Sequence, residues 1–415
     1  MLKKIIISLK RIPFLKKIVK FFYQKIGLLI SNKKSIPNTI KRVSNKNEEA
    51  LFGYYDKTPW SRDNSKFIYL RTKNANKYPA GKDEAQIILK NFNTNEELVV
   101  DSTKTWNSQQ GAMLQWLGPD FNSKIIFNNF YNGKYVANII NLENMKKNIL
   151  DHPIYTIDSK GENCFWLDFS RLNTLRPGYG YSNIIDNSKG TKLPSGPAIF
   201  WANLKTHTSD YLITYEDLYN IMPQDDNFKK SFHKVNHIMS NPSGNAIIFL
   251  HRWIYKGNKS DRLLAYFLDS KELKVILDEG MVSHCNWKND SVIITFARTL
   301  KQGDRYYEIN INTGEVKLLD KLPKQDGHPS FSPNGKYIIM DTYPSLMRKQ
   351  KIFLYKIETG ELNEIASVYS NGRYMNNTRC DLHPRWNWNS KEICFDSNLD
   401  KHRGVYLLKI PEEYL

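Results

Sequence analysis

The feature that most constrains the fold is a motif that recurs seven times: a tight turn followed at once by a short β-run. It reads "WSRDNSKFIYL" from Trp60, "WLGPDFNSKIIF" from Trp116, "IDSKGENCFWL" from Ile157, "SNPSGNAIIFL" from Ser240, "WKNDSVIITF" from Trp287, "FSPNGKYIIM" from Phe331 and "WNWNSKEICF" from Trp386. Asn, Asp, Gly, Ser and Pro supply the backbone conformations of a tight hairpin. The runs that follow are rich in β-branched and aromatic residues, as buried strands are. Between successive copies lies a second hairpin pattern, for example "AQIILKNFNTNEELVV", "RLLAYFLDSKELKVIL" and "KIFLYKIETGELNEIA". Each repeat is therefore two hairpins, or four strands. Seven such units, most of them about 40 to 57 residues apart, predict an all-β, seven-bladed β-propeller, in which ring closure removes long exposed edges. Two separate sandwiches fit less well, because the period continues through the whole body.

The last repeat ends at "GVYLLKI", which leaves no room for a fourth strand. A strand near "NTIKRVS", residues 38–44, is expected to return and complete it. The expected organisation is a basic amphipathic helix over 1–34, a linker and closing strand over 35–49, and the propeller over 50–415.

The net charge is +18, but its distribution matters more than its sum. Residues 1–42 hold twelve Lys or Arg and no acid, which leaves only +6 for the body. A nucleic-acid partner is therefore not expected. In the basic segment Leu15, Ile18, Val19, Phe22, Ile26 and Leu29 share one helical face, with Lys16, Lys17 and Lys20 opposite. Such a helix can lie on an anionic membrane surface. Lysines interrupt it too often for the roughly 20 apolar residues of a span, and "IIISL" is short of the about 7 to 15 a secretory signal needs. A cytoplasmic monomer, peripheral to the inner membrane, is expected. The four cysteines form no CxxC pair and no disulfide framework, which agrees with a reducing compartment.

Aligned on the residue that opens each turn, the position three earlier is Lys57, Met113, Ile154, His237, His284, His328 and His383. The chain has nine histidines, and four fall in this one column. In a propeller the first strand of each blade lines the channel, so these imidazoles are expected around one cavity. Neutral imidazoles around a hollow suit a divalent transition metal, with Asp326, Asp341 and Asp381 near enough to act as partners or ligands. The plainer alternative is that the histidines pack and hydrogen-bond between blades.

The "SPNGKYI" and "NPSGNAI" turns resemble those of TolB-type propeller repeats over residues 50–415. "HKVNHIMSNPSGNAIIFLHRW", "SHCNW", "DGHPSFSPNG" and "CDLHPRW" together resemble the oligogalacturonate lyase family. That resemblance implies a seven-bladed propeller with a manganese-type ion held by histidines and a glutamine. The implied positions are His237, His284, His328 and His383, with Gln109, Gln110 or Gln325 as further oxygen ligands.

The insertion "FSRLNTLRPGYGYSNIIDNSKGTKLPSGPA", 169–198, and the long connection 214–236 fall on the histidine side, and the first suits a mobile lid. Arg171, Arg176, Arg252, Arg298 and Arg385 are candidates for gripping an anionic group, and Tyr179, Tyr181 and Trp253 for stacking on sugar rings. An acidic, uronate-type saccharide is the expected substrate. In a β-elimination the metal and arginines would neutralise the carboxylate, and His251 or Arg252 would take the proton, with Arg298 beside them. Two other readings stay open: a glycan transferase or hydrolase in envelope or capsule synthesis, and a non-catalytic binding scaffold.

Overall fold

A computed structural model describes residues 39–415; the basic segment over 1–34 and the start of the linker lie outside the described residues. The described strands form seven four-stranded antiparallel sheets, each with its strands in meander order. The protein is a seven-bladed β-propeller. Blade 1 covers Glu49–Leu51 to Glu97–Thr103, and blades 2 to 6 begin at Gln115, Thr156, Phe232, Val282 and Ser330. Blade 7 takes three strands from Arg385–Trp386, Glu392–Asp400 and His402–Lys409. Its fourth is Ile40–Arg42, which pairs with His402–Lys409 in the register Ile40↔Leu408 and Arg42↔Tyr406. The two ends of the described chain thus share one sheet, and the ring has no open seam.

The recurring turn has a common latch. Its first polar side chain accepts a hydrogen bond from the backbone N–H five residues on: Ser61 from Lys66, Asp158 from Asn163, Asn241 from Ala246, Ser332 from Tyr337 and Asn387 from Glu392. Each bond closes the hairpin that joins the innermost strand to the second. The runs after the latch are buried on both faces because each sheet is sandwiched between two others. Separate apolar clusters fill the wedges between blades. Ile68, Leu70 and Ile87 of blade 1 meet Trp116 and Phe127 of blade 2. Ile248, Leu250 and Leu263 of blade 4 meet Ile293 and Tyr307 of blade 5.

No described helix is long and apolar enough to cross a membrane. All four cysteines are free and buried. The insertion is not a free lid. Asp168 caps a short helix, Phe169–Leu175, through the backbone N–H groups of Ser170 and Arg171, and Phe169, Leu172, Tyr179 and Tyr181 enter the core between blades. The connection 214–236 holds two more short helices, Tyr215–Asn220 and Asp226–Lys229, before the innermost strand of blade 4, Phe232–Ser240.

Candidate functional site

The four aligned histidines do meet, and backbone irregularity brings them there. His237 and His284 each sit where the innermost strand carries one residue more than its partner. Asn236 to Met239 opposes Leu250 to Ile248, and Val282 to Cys285 opposes Ala297 to Thr295. Such bulges re-aim a side chain. His237 and His383 also hold left-handed backbone angles, φ 55° and 47°, an uncommon conformation for a non-glycine residue and one that clusters at functional sites. All four rings are buried. Their centroids run in an arc: 5.7 Å from His237 to His284, 4.1 Å on to His328 and 4.2 Å on to His383.

One nitrogen of three of these rings is fixed by a partner. Asp326 Oδ1 lies 2.9 Å from His284 Nδ1, Asp341 Oδ1 lies 2.8 Å from His328 Nδ1, and the Gly53 carbonyl lies 2.8 Å from His383 Nδ1. Oxygen acceptors on Nδ1 leave Nε2 as the ligating atom, the arrangement by which carboxylate partners orient metal-bound histidine. His328 Nε2 and His383 Nε2 are buried and have no hydrogen-bond partner, as is His237 Nδ1. Ligand atoms of His328, His383 and the buried Asp381 lie within 4.8 Å of one another. Burial, with neighbouring positive groups, holds the pKa of His237 and His383 well below the usual value, and burial also lowers that of His284. Burial opposes protonation of His328 too, but Asp341 outweighs it and raises the pKa. Buried ring nitrogens without a partner, on imidazoles whose other nitrogen is already committed, are what a transition metal requires, so the residues present fit a divalent ion. The buried Gln109 and Gln110 each leave Oε1 without a partner, whereas Gln325 is exposed at the rim.

A tyrosine that the sequence reading missed stands inside the arc. The Tyr54 ring is 4.9 to 6.4 Å from all four imidazoles, and its hydroxyl is 3.3 Å from His237 Nε2. The innermost strand of blade 1 is only Glu49–Leu51, and the chain beyond it turns into the channel with Tyr54 and Tyr55. Gly53 permits this: its φ is +139°, and a Cβ there would lie 2.7 Å from the Gln110 carbonyl. The doubled tyrosine of "FGYYDK" was the available signal. Tyr343, with its hydroxyl 3.4 Å from His284 Nε2, and Arg379, stacked 4.5 Å from the Tyr343 ring centroid, complete the wall.

Several expected substrate and catalytic residues have other work. His251 is enclosed: Nε2 lies 2.9 Å from His233 Nδ1 and Nδ1 accepts from Arg262, so no ring nitrogen is left to act as a base. Arg298 is half exposed and forked onto Asp304 at 2.7 Å, and it is not among the groups brought to the imidazoles. Arg171 is buried and tied to His233 O, Ser188 Oγ, Thr191 O and Lys192 O, which makes it a staple for the insertion. Tyr181 stacks on Phe169 and accepts from Asn128, and Trp253 packs on Phe228. Arg385 donates to the carbonyls of Gly53 and Tyr54 and pairs with buried Asp396, so it holds the tyrosine segment and reaches no ligand. Arg252 is beside the site, but its partner Asp261 at 2.9 Å fixes it as a permanent cation. Tyr179 packs edge-on to Tyr54 and His237, with Arg176 over its face.

With this geometry in place, comparison with known proteins is informative about the fold. No family model matches the sequence, and no curated protein matches it. Among solved structures, an oligogalacturonate lyase in complex with manganese superposes with a TM-score of 0.64 at 14% identity, covering 90% of this chain and 94% of that one. The oligogalacturonate lyase of Vibrio parahaemolyticus gives 0.62 at 11% identity, over 91% and 94%. TolB from Acinetobacter baumannii gives 0.40 at 15%, over 79% and 76%. This chain has the oligogalacturonate lyase fold.

Proposed function

We propose that this propeller is a metal-dependent lyase that cleaves an acidic, uronate-type saccharide by β-elimination at the histidine-lined channel. The observation that carries the reading is the pair of buried, partnerless Nε2 atoms on His328 and His383, each with its Nδ1 already committed. His328, His383 and Asp381 would hold a divalent ion, with His284 adjoining, and manganese is the first candidate because a structural neighbour carries it. A bound ion would act there as a Lewis acid toward the uronate carboxylate, making the C5 proton easier to remove. Cationic side chains near the ring support an anionic substrate: Arg176 covers Tyr179, and Arg252, paired with Asp261, stands beside the site.

A cleft of about 510 Å³ opens beside the site and is lined by Asp326, Tyr343, Thr342, Lys349 and Lys351. Asp326 and Tyr343 are the residues that touch His284. A saccharide in this cleft would therefore lead directly to the ring. The base is reassigned to His237, whose low pKa keeps it neutral and whose Nδ1 has no partner. It takes the C5 proton as the C4–O bond breaks and C4=C5 forms, and the departing oxygen picks up a proton from solvent.

The test is ultraviolet detection of unsaturated products from a panel of uronate oligosaccharides, with and without added manganese. Metal-dependent product formation that is lost in His237→Ala supports the reading. Metal binding without unsaturated product from any uronate would remove the elimination chemistry, and an envelope-glycan transferase or hydrolase would become the better use of the same pocket.

A further inference from the structure

The opposite mouth of the channel carries a second cavity that the metal chemistry does not use. His284 and Trp287 lie on one innermost strand, Val282–Trp287, with Trp287 at its turn end. Three residues of strand place them about 10 Å apart. Around Trp287 a depression of about 390 Å³ is lined by Trp116, Trp388, Phe121 and Met239, and by the amides Gln115 and Asn286. Tyr55 closes the channel between the two ends. Its hydroxyl donates to the Cys285 carbonyl at 2.7 Å and its ring lies 5.2 to 6.2 Å from His284, His328 and His383. The two cavities are thus separate sites.

Asp56 and Lys57 border the distal cavity and, among the described residues, are its only ionisable lining groups. They pair with each other at 2.6 Å, and their side chains are 4% and 9% exposed. The lining is therefore electrically neutral, and Lys57 is not free to grip a phosphate or a uronate. Yet the cavity is not simply greasy. Asp56 Oδ1 is buried with no hydrogen-bond partner, an arrangement that is unfavourable until a donor arrives. Asn286 uses Oδ1 to accept from the Phe331 N–H, which leaves its amide hydrogens as the available end. The indole N–H groups of Trp116, Trp287 and Trp388 are all consumed by backbone carbonyls, so the tryptophans offer rings and not donors.

We propose that this mouth is a second binding site, for a neutral, polyhydroxylated ring such as an uncharged hexose unit of a glycan. Aromatic walls suit the C–H face of a pyranose, Asp56 Oδ1 supplies an acceptor for a hydroxyl, and Asn286 supplies a donor for a ring or hydroxyl oxygen. The site's preference is the reverse of that proposed for the histidine mouth, where an acidic sugar is expected. It does not depend on that proposal.

The test is saturation-transfer NMR on the full chain with neutral hexoses, N-acetylhexosamines and, as a control, glucuronate and galacturonate. The expected result is transfer from at least one neutral sugar. It should fall tenfold or more in Ser159→Trp, which fills the cavity from its exposed lip, and in Asn286→Ala, while His328→Ala leaves it unchanged. No transfer from any neutral sugar would overturn the proposal. So would transfer that survives both Ser159→Trp and Asn286→Ala, or transfer lost in His328→Ala, since either would put the sugar elsewhere.

Discussion

Asp341 Oδ1 lies 2.8 Å from Nδ1 of His328 and also accepts that residue's backbone N–H at 2.8 Å, while its Oδ2 accepts the backbone N–H of His383 at 3.0 Å. One buried carboxylate from the second strand of blade 6 therefore aims one imidazole and anchors the backbone of another, contributed by blade 7. Its pKa is held below the usual range: burial works against ionisation, but His328 and these N–H groups prevail.

Replacing this carboxylate should loosen the metal and leave the fold intact. Asp341→Asn keeps the size but has only one acceptor oxygen for three donors. Removal of such a partner typically costs 10- to 100-fold in metal affinity. Titration with manganese, followed by calorimetry or elemental analysis after dialysis, should show a loss of that order. His328→Ala and His383→Ala should abolish stoichiometric binding. Wild-type protein that takes up no divalent ion under any condition would remove the metal centre.

Gly53→Ala should act at a distance from any ligand atom. The new Cβ would meet the Gln110 carbonyl at 2.7 Å on a backbone of φ +139°, so the segment must shift and carry Tyr54 with it. A loss of more than about 2 kcal/mol is expected for strain at such a position. The measurement is the melting temperature together with metal content. Unchanged values of both would show that the Tyr54 segment is not fixed by Gly53.

Stability should fall as the solution is acidified from neutrality, in part through His233. Burial pushes its pKa down from 6.5 to about 4, with Arg171 and Arg262 adding to the effect and the Phe228 carbonyl opposing it. The unfolded chain then binds more protons than the folded one between about pH 6.5 and pH 4, so stability rises with pH across that window and is flat above it. The full effect is on the order of 3 kcal/mol. Melting temperatures from pH 4.5 to 7.5 should show the slope, and His233→Gln should have a shallower one. Parallel slopes for the two proteins would contradict the assignment.

Closure of the ring should depend on Arg42. Its guanidinium reaches Asp400, Tyr406 Oη and the carbonyls of Glu48, His402 and Arg403. Arg42→Ala strands the partly buried Asp400 and is expected to cost about 3 kcal/mol, within the range for breaking a buried pair. Deleting 38–44 removes the strand altogether and should lower the melting temperature far more. Equal melting temperatures for deletion and wild type would show that blade 7 is stable with three strands.

How far the sequence speaks can be judged from particular residues. The turn residues Ser61, Asp158, Asn241, Ser332 and Asn387 recur because each latches a hairpin locally, and a local bond leaves its mark in local sequence. The blade count and the strand-by-strand pattern were legible for that reason. The column of His237, His284, His328 and His383 was legible too, since the repeat fixes which residue of each innermost strand faces the axis. The partners of the rim residues were not. His251 and Arg252 stand where a base was expected, yet one is locked to His233 and Arg262 and the other to Asp261, and the repeat pattern does not announce those pairings. Nor could the sequence place Tyr54, which enters the ring only because the innermost strand of blade 1 stops early and Arg385, more than 300 residues later, holds its carbonyl. Sequence determined which side chains could face the channel, because strand periodicity is local. Only the closed ring decided which of them keep an idle, buried lone pair, because that depends on partners brought in from other blades.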